Sequence, residues 1–216
     1  MLDATADSGE PALRVWTPGA QVAFGRRDAR ADGADAARAA AERRGFPVVE
    51  RSVGGRAVAY TETTLAFAYA LPLADMREGL DERYETAVNA VVDGLSAAGA
   101  DVERGEPPRS YCPGDYSVRA VGGGKVAGVA QRVRQRAALV SGCVTVDGRD
   151  RIRDVLSPVY GALGVPFDPD SVGSVAAAGG AADPDAVHDA LETAILDGFD
   201  AAGRVDRDVD DLRLDG

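Results

Sequence analysis

The chain has 216 residues, a net charge of −11, 27% charged residues and 45% hydrophobic residues. This length suits one domain, and the acidic balance excludes a general role in binding nucleic acid or an anionic membrane, because like charges repel. The sequence shows neither an apolar run of membrane-spanning length nor a signal peptide, so we expect a cytoplasmic protein.

Lysine is almost absent from the chain. Of the 24 lysine and arginine residues, only Lys125 is a lysine. An acidic, lysine-poor composition is typical of proteins kept soluble in high salt and predicts a halophilic, haloarchaeal source. A compact ammonium on a flexible stem is not reproduced by a planar guanidinium, so the retained Lys125 is the first candidate for a catalytic residue. The two cysteines, Cys112 and Cys143, are too few for a disulfide framework.

The first half of the chain contains several predicted strands and one helix. Residues 13–16 and 21–25 are separated by a Thr-Pro-Gly turn, which predicts a hairpin. The alanine-rich residues 34–44 favour a helix that ends at Gly45. Further strands are predicted at residues 46–51, 57–60 and 64–71, and the alternation in the last indicates a half-buried strand.

The second half repeats this combination of helices and strands. Predicted helices cover residues 80–95, 151–163 and 183–199, and predicted strands cover residues 116–120, 125–130 and 136–146. A small-residue linker is expected at 172–180. Strands that follow one another without intervening helices pair mostly antiparallel. The sequence therefore predicts an α+β domain with a mixed, largely antiparallel sheet flanked by helices.

The first candidate site is a pair of glycines that follows a predicted strand, in residues 50–60 (ERSVGGRAVAY). Adjacent glycines allow the main chain to approach a ligand and to aim N–H groups at an anion, while Arg51 and Arg56 supply forked donors for carboxylate or phosphate. The alternative is an ordinary hairpin turn with solvated arginines.

The second candidate site lies in residues 112–132, where a thiol, a carboxylate and an ammonium share one predicted hairpin. Strand alternation predicts that Lys125, Ala127 and Val129 share one face, and Gly128 leaves space beside the lysine for an acyl chain or adenylate. An ammonium aimed at a carbonyl oxygen or phosphate stabilises the charge that develops during acyl transfer.

These two segments, in this order, resemble the biotin/lipoate protein ligase superfamily, in particular its lipoate-protein ligases and octanoyltransferases. Residues 51–58 (RSVGGRAV) are similar to the family's RRxxGGxAVxH, and residues 124–132 (GKVAGVAQR) to its GKKIxGxAQR. Weaker similarity extends the match to about residues 11–147. The resemblance implies a catalytic domain at residues 11–203, preceded by a polar N-terminal remnant at 1–10 and followed by an acidic tail at 204–216.

The resemblance also implies a chemistry and a set of site residues. ATP and lipoate, or octanoate, would give an acyl-adenylate that is attacked by a lysine of a lipoyl-carrier domain, with Mg²⁺ bridging ATP oxygens. Lys125 would be catalytic, and Asp115 would help to position Mg²⁺ or phosphate. Contacts with substrate and acyl-adenylate would come from Arg51, Gly54, Gly55, Arg56, Ala57, Tyr60, Asp115, Gly128 and Ala130.

The chain departs from the family pattern at three positions. Glu50 replaces the first arginine of the usual pair, and Tyr60 and Ser141 stand where the family has histidines. The single histidine, His188, lies in a predicted helix far from the motifs. These departures leave open a non-catalytic module that holds a lipoyl group or its carrier.

A second alternative is an ATP-independent octanoyltransferase with Cys112 as the nucleophile. One octanoyltransferase group of this superfamily carries a cysteine in a comparable loop, and Arg56 after Gly55 also resembles that group. A nearby ammonium would lower the pKa of the thiol. In each enzymatic case the implied partner is a lipoyl-carrier domain of a glycine cleavage H protein or a 2-oxoacid dehydrogenase acyltransferase subunit. An accessory C-terminal-domain chain is a further expected partner.

Overall fold

The computed structural model describes residues 1–51 and 55–199. Gly54 and the acidic tail at 204–216 therefore lie outside the described residues. The helices are α1 (Leu2–Ser8), α2 (Ala34–Glu42), α3 (Leu80–Ala97), α4 (Arg149–Ala162) and α5 (Pro184–Gly198). The strands are β1 (Ala12–Trp16), β2 (Gln21–Phe24), β3 (Val48–Glu50), β4 (Val58–Tyr60), β5 (Thr64–Pro72), β6 (Val102–Arg104), β7 (Ser117–Ala120), β8 (Lys125–Val133) and β9 (Ala137–Thr145).

The larger sheet has six strands in the order β1-β5-β9-β8-β7-β6, and every neighbouring pair is antiparallel. Its core packs against α3 and α5, whose apolar positions recur at three and four residues. Val88, Val91 and Leu95 of α3 are fully buried, whereas Leu80, at the start of the predicted apolar stripe, is 47% exposed. This stripe therefore begins one turn later than predicted.

The smaller sheet has the order β3-β2-β4, with β2 parallel to β3 and antiparallel to β4. Helices α2 and α4 pack together on this side of the molecule, around a second core that includes Phe24, Phe46 and Ile152. Helix α2 ends at Glu42, two residues earlier than predicted, and Gly45 adopts the left-handed conformation expected of the glycine that closes the helix. The prediction of a mixed, largely antiparallel α+β fold is confirmed.

The predicted hairpin of the first two strands is wrong. β1 pairs with β5 of the larger sheet, whereas β2 pairs with β3 and β4 of the smaller one. The intervening turn therefore passes the chain from one sheet to the other. Val22 and Phe24 are fully buried in the second core, and this burial, which a local turn signal does not reveal, determines the partners of β2.

Strand β5 is buried on both faces, so the prediction of a half-buried strand is also wrong. The small side chains of Ala66, Ala68 and Ala70 are at most 7% exposed. Helix α1, which lies within the predicted polar remnant, contacts β5 and β9. An ion pair of 2.9 Å between Asp7 and Arg136 ties this helix to the start of β9.

Residues 172–180 are not a linker, because residues 172–175 are buried and fix the start of β8. Val175 is fully buried, and its N–H donates to the Thr145 carbonyl at 2.9 Å. The backbones of Gly124 and Gly173 approach so closely that a Cβ on Gly173 would lie 2.4 Å from the Gly124 carbonyl oxygen. Only glycine permits this contact, which places Lys125 at a rigid end of the strand.

Candidate active site

A cavity of about 520 Å³ lies where the two sheets meet the loop that precedes β7. This volume is within the range of small-molecule sites in proteins. Its walls are apolar at Trp16, Val58 and Phe67. Most of the predicted site residues line it, namely Arg51, Gly55, Tyr60, Cys112, Asp115, Lys125, Gly128 and Ala130.

Lys125 stands in the wall of this cavity and is only 3% exposed. Its ammonium donates to the Cys112 carbonyl at 2.9 Å, to Glu106 Oε2 at 3.0 Å and to the Tyr111 carbonyl at 3.3 Å. An ammonium has three protons, and these three acceptors match them. Lys125 therefore holds the loop that contains Cys112 (residues 105–116, here called the cysteine loop) against the sheet, and its side chain also faces the cavity.

A β-bulge changes which residues share the face of Lys125. The pairing of β7 with β8 shifts between Val118 and Arg119, so the simple alternation of Lys125, Ala127 and Val129 does not hold. Ala127 is fully buried in the core, whereas Gly128 lies beside the lysine. A Cβ on Gly128 would be 3.2 Å from Lys125 Cε, so this glycine makes space for the lysine side chain itself.

The thiol of Cys112 faces the same cavity and accepts a hydrogen bond from Arg51. The distance from Arg51 Nη2 to Cys112 Sγ is 3.3 Å. The same Nη2 donates to the Arg56 carbonyl at 2.5 Å, which fixes the guanidinium between the thiol and the chain that follows the glycine pair. One hydrogen bond therefore joins Arg51 of the glycine-pair motif to Cys112, which lies 61 residues later in the chain.

This environment lowers the pKa of the Cys112 thiol below its ordinary value. Burial would raise this pKa, but the positive charge of Arg51 and hydrogen bonds from Arg51 and the Arg56 and Gly55 backbone outweigh it. Burial alone would lower the pKa of Arg51. The neighbouring Cys112 and Tyr60 groups raise it more, so the pKa of Arg51 lies above its ordinary value. The Cys112 thiol therefore loses its proton more readily than an isolated cysteine does.

The backbone of Cys112 is held in an unusual conformation. Its φ is 41°, in the left-handed region that non-glycine residues rarely occupy. The Cys112 N–H donates to the Tyr160 hydroxyl at 2.7 Å, and this hydroxyl donates to the Ala57 carbonyl at 2.9 Å. Tyr160, on α4, thereby links the cysteine loop to the chain after the glycine pair.

Glu106 completes the cysteine loop. Its Oε2 accepts from Lys125, from the Ser117 hydroxyl at 2.5 Å and from the Gly114 N–H at 3.3 Å. One carboxylate oxygen therefore ties the two ends of the loop to the lysine. Sequence reasoning missed Glu106 and Tyr160, because neither stands in a motif and their roles arise only when the two sheets meet.

Two predicted binding residues, Arg56 and Ala57, lie outside the cavity wall. Arg56 pairs with Asp28 at 2.7 Å, and the Ala57 N–H donates to the other oxygen of Asp28 at 2.6 Å. Asp28 is fully buried, so this pair anchors the segment between the glycine pair and β4. Arg56 and Ala57 contribute to the site by fixing other residues. The Arg56 carbonyl holds Arg51, and the Ala57 carbonyl holds Cys112 through Tyr160.

Tyr60 and Cys143 form a neutral part of the wall. Burial and the nearby Cys143 raise the pKa of Tyr60, so its hydroxyl keeps its proton. Burial also raises the pKa of Cys143, to about 11.

Ser141, which stands where the family has a histidine, lies opposite Ala130 on the neighbouring strand. His188 lies on α5 against Asp189 and is not among the cavity residues.

Asp115 lies at the cavity with an exposed side chain. Within residues 1–51 and 55–199, no group of three His, Cys, Asp or Glu side chains is arranged to hold a metal. Mg²⁺ is commonly bound by one or two carboxylates together with substrate phosphates, so a single Asp115 fits a nucleotide-borne Mg²⁺.

Among the helices of the described ranges, none has the length and apolar character needed to cross a membrane.

The fold is that of the lipoate-protein ligases. It superposes on a lipoate-protein ligase A bound with ATP with a TM-score of 0.73 at 23% identity, covering 95% of this chain and 81% of that one. A putative lipoate protein ligase from T. acidophilum with bound lipoic acid gives a TM-score of 0.70 at 21% identity, over 92% and 78% of the two chains.

The family described as the lipoyl protein ligase A/B catalytic domain matches residues 1–196, and the chain belongs to this family. The match extends beyond the 11–147 found from motifs and includes α1 and most of α5. A Listeria monocytogenes lipoyl-GcvH:protein N-lipoyltransferase is 29% identical over 67% of this chain and 51% of its own length. A Geobacillus kaustophilus octanoyl-GcvH:protein N-octanoyltransferase is 30% identical over 74% and 56%. The chain spans about half the length of these curated relatives.

Proposed function

We propose that this chain transfers a lipoyl or octanoyl group to a lysine of a lipoyl-carrier domain through a thioester on Cys112. The observation that carries the proposal is the hydrogen bond from Arg51 Nη2 to Cys112 Sγ, on the wall of a cavity of ligand size. A partly accessible cysteine whose pKa is lowered by a neighbouring cation is the environment of a nucleophile. The names of the two relatives, both carrier-to-protein acyltransferases, support this assignment.

The first half of the reaction loads the cysteine. The Cys112 sulfur attacks the acyl carbonyl carbon of a donor carrier, a carbon–sulfur bond forms, and the bond from the carbonyl carbon to the donor's lysine nitrogen or thiol sulfur breaks. The leaving group takes the proton that the thiol gave up. Lys125, whose ammonium donates to three protein acceptors, would stabilise the oxyanion that develops on the acyl group by exchanging one of those acceptors for it.

The second half transfers the acyl group onward. The amine of the acceptor lysine attacks the thioester carbon, the carbon–sulfur bond breaks, and the amine loses a proton as the Cys112 sulfur regains its resting form. The apolar wall at Trp16, Val58 and Phe67 suits the acyl chain. Each half exchanges one acyl bond for another, so the proposed reaction requires no ATP.

A second candidate is the ATP-dependent ligase, favoured by the presence of two cations, Arg51 and Lys125, and of Asp115 on one cavity wall. Bound ATP would supply an activated acyl-adenylate, and Mg²⁺ would neutralise its phosphates. Lys125, Arg51 and the Gly55 backbone would hold the acyl phosphate, and Asp115 would face the metal.

The deciding experiment is transfer to a purified lipoyl-carrier domain, followed by intact mass. One set of reactions contains lipoate or octanoate with and without ATP and Mg²⁺, and another contains an octanoylated carrier without ATP. We expect label on the acceptor from the octanoylated carrier alone. Label that appears only with free acid, ATP and Mg²⁺ would replace the proposal by the ligase, and no label in either set would leave a non-catalytic binding module.

The cellular setting belongs to the same proposal. The expected carriers are a glycine cleavage H protein or a 2-oxoacid dehydrogenase acyltransferase subunit, and the expected location is the cytoplasm of a haloarchaeon. An accessory chain that supplies a C-terminal domain is a further expectation, and addition of such a chain to the transfer reaction tests whether it raises the rate.

A further inference from the structure

One buried tyrosine, Tyr160 of α4, lies between the two segments that surround the Cys112 thiol. Its side chain is 1% exposed and packs in the second core, with its ring centre 5.0 Å from that of Phe167. Its hydroxyl accepts a hydrogen bond from the Cys112 N–H at 2.7 Å and donates one to the Ala57 carbonyl at 2.9 Å. A backbone N–H can only donate and a carbonyl can only accept, so the direction of both bonds is fixed. Burial raises the pKa of Tyr160, so the hydroxyl keeps the proton that the second bond requires.

The backbone of Cys112 is held on both sides of its Cα atom. Tyr160 binds the peptide group before it through the N–H, and Lys125 binds the peptide group after it through the Cys112 carbonyl, at 2.9 Å. Between these two bonds φ is 41°, a conformation that a non-glycine residue keeps only where its surroundings impose it. The direction of the sulfur follows from this backbone conformation. In the proposed reaction Lys125 would exchange one of its acceptors for the oxyanion, whereas the buried Tyr160 remains in place.

The second bond of Tyr160 fixes the donors on the other side of the sulfur. The N–H groups of Gly55 and Arg56 donate to the Cys112 thiol and help to lower its pKa. Ala57 directly follows these two residues in the chain, so the bond to its carbonyl restrains the segment that carries both donors. A single hydroxyl therefore sets the position of the sulfur relative to the groups that activate it.

We propose that Tyr160 is a positioning residue of the acyl-transfer site, which holds the Cys112 sulfur against its hydrogen-bond donors. This inference rests on the proposed function, since it concerns the same nucleophile. In this role Tyr160 acts through Cys112 and Ala57 and needs no contact with the acyl group. Without its hydroxyl, the Cys112 N–H and the Ala57 carbonyl would each lose a hydrogen bond in a buried region, which is costly. The cysteine loop would then shift to recover these bonds, and the sulfur would move away from its donors.

The test uses Tyr160→Phe, which keeps the buried ring and removes only the hydroxyl. The rate of iodoacetamide labelling of Cys112 is read by peptide mass over a range of pH. We expect the midpoint of this profile to rise by about one pH unit, which lowers the labelling rate at pH 7 about tenfold, since only the thiolate reacts. The kcat of acyl transfer should fall by a similar factor, while the KM for the carrier stays unchanged. A lower melting temperature with an unmoved pH midpoint would overturn the proposal, because Tyr160 would then be only structural.

Tyr69→Phe is the matched control. Tyr69 is 4% exposed and belongs to the core of the larger sheet, where its ring centre lies 4.7 Å from that of Phe199. This variant also removes one hydroxyl from a buried ring, but in a different core from the one that contacts Cys112. Its labelling profile and kcat should match those of the unchanged protein. An equal shift in both variants would overturn the proposal, because general loosening of the fold would explain it.

Hydrogen exchange of the unchanged protein tests the same bond without any variant. The amide of Cys112 should exchange more slowly than that of Asp115, an exposed residue of the same loop. Exchange of the Cys112 amide as fast as in an unstructured peptide would overturn the proposal, whether or not Tyr160→Phe folds.

The two readouts of Tyr160→Phe separate this inference from the proposed function. If the labelling profile shifts as expected but the unchanged protein transfers no acyl group, Tyr160 positions the thiol and the proposed function fails. If the unchanged protein transfers acyl groups and a folded Tyr160→Phe protein keeps both its labelling profile and its kcat, the proposed function stands and this inference is wrong.

Discussion

Cys112 and Cys143 line the same cavity, yet the pKa values of their thiols move in opposite directions. Cys143 lies in the middle of β9 between two paired strands, where burial dominates and raises its pKa to about 11. Cys112 lies in a loop whose backbone turns its sulfur toward the Arg51 guanidinium and two backbone N–H groups. The reactivity of a buried thiol therefore depends on which donors reach the sulfur, and much less on the cavity it faces.

The largest expected effect comes from removal of the Cys112 thiol. Cys112→Ala should reduce acyl transfer roughly ten-thousand-fold, as loss of a covalent nucleophile does, whereas Cys143→Ala should change it less than about twofold. The measurement is the initial rate of acyl transfer to a carrier, followed by mass. Equal losses in both variants, with unchanged thermal unfolding, would remove the distinction between the two cysteines.

Lys125→Arg tests whether the lysine is irreplaceable. The wall at Gly128 has room for the slim lysine stem, and a guanidinium cannot direct three protons to the same three acceptors. We expect transfer to fall about a hundredfold, the typical cost of losing one oxyanion donor. A circular dichroism melt checks that the variant is folded. Full activity in a folded Lys125→Arg protein would contradict the central place given to this residue.

Arg51→Gln tests the origin of the thiol reactivity. Removal of the positive charge leaves burial as the dominant influence, so the pKa of Cys112 should rise and the thiolate fraction at neutral pH should fall. The rate of iodoacetamide labelling, read by peptide mass over a range of pH, should then reach its midpoint at higher pH. The Arg51 charge also lowers the pKa of Cys143, so labelling of Cys143, already slow because burial raises its pKa, should not become faster in the variant. A pH profile for Cys112 that does not move would show that Arg51 does not set its pKa.

Gly128→Ala should have the smallest effect on the active site. The added Cβ would lie 3.2 Å from Lys125 Cε, so the ammonium must shift by a few tenths of an ångström. We expect a reduction in transfer of about threefold, since alignment errors of this size weaken without abolishing a catalytic contact. Gly161→Ala on α4, where nothing lies within 4 Å of the new Cβ, is the control and should leave the rate unchanged. A loss in both variants would indicate a general effect of the substitution.

The sequence predicted the parts of the fold that depend on local pattern. The glycine cap at Gly45 and the apolar repeat of α3 were recognisable, because helix periodicity and caps involve residues close in the chain. The separation of β1 and β2 into two sheets was not recognisable from the sequence. It follows from the core that β2 shares with α4, which lies more than a hundred residues later in the chain. The bulge at the start of β8 likewise breaks an alternation that a sequence pattern assumes to be regular.

The candidate site was predictable only in part. Lys125 is the single lysine of the chain, and Arg51 and Cys112 lie in motifs, so the sequence identifies all three residues that line the cavity together. Glu106 and Tyr160 gave no signal, because a single glutamate or tyrosine outside a motif acquires its role from tertiary contacts. Gly128, which is predicted to leave space for a ligand, lines the cavity, and the structure adds that it also leaves space for the lysine side chain.

The most direct measurement is peptide mapping of the acylated enzyme. The protein is mixed with an octanoylated carrier without ATP, quenched with acid to preserve thioesters, digested and analysed by mass. The account predicts an octanoyl group on the peptide that contains Cys112, sensitive to hydroxylamine and absent in Cys112→Ala. An octanoyl group on Cys143, or transfer to the acceptor with no acyl-enzyme at any time point, would contradict it.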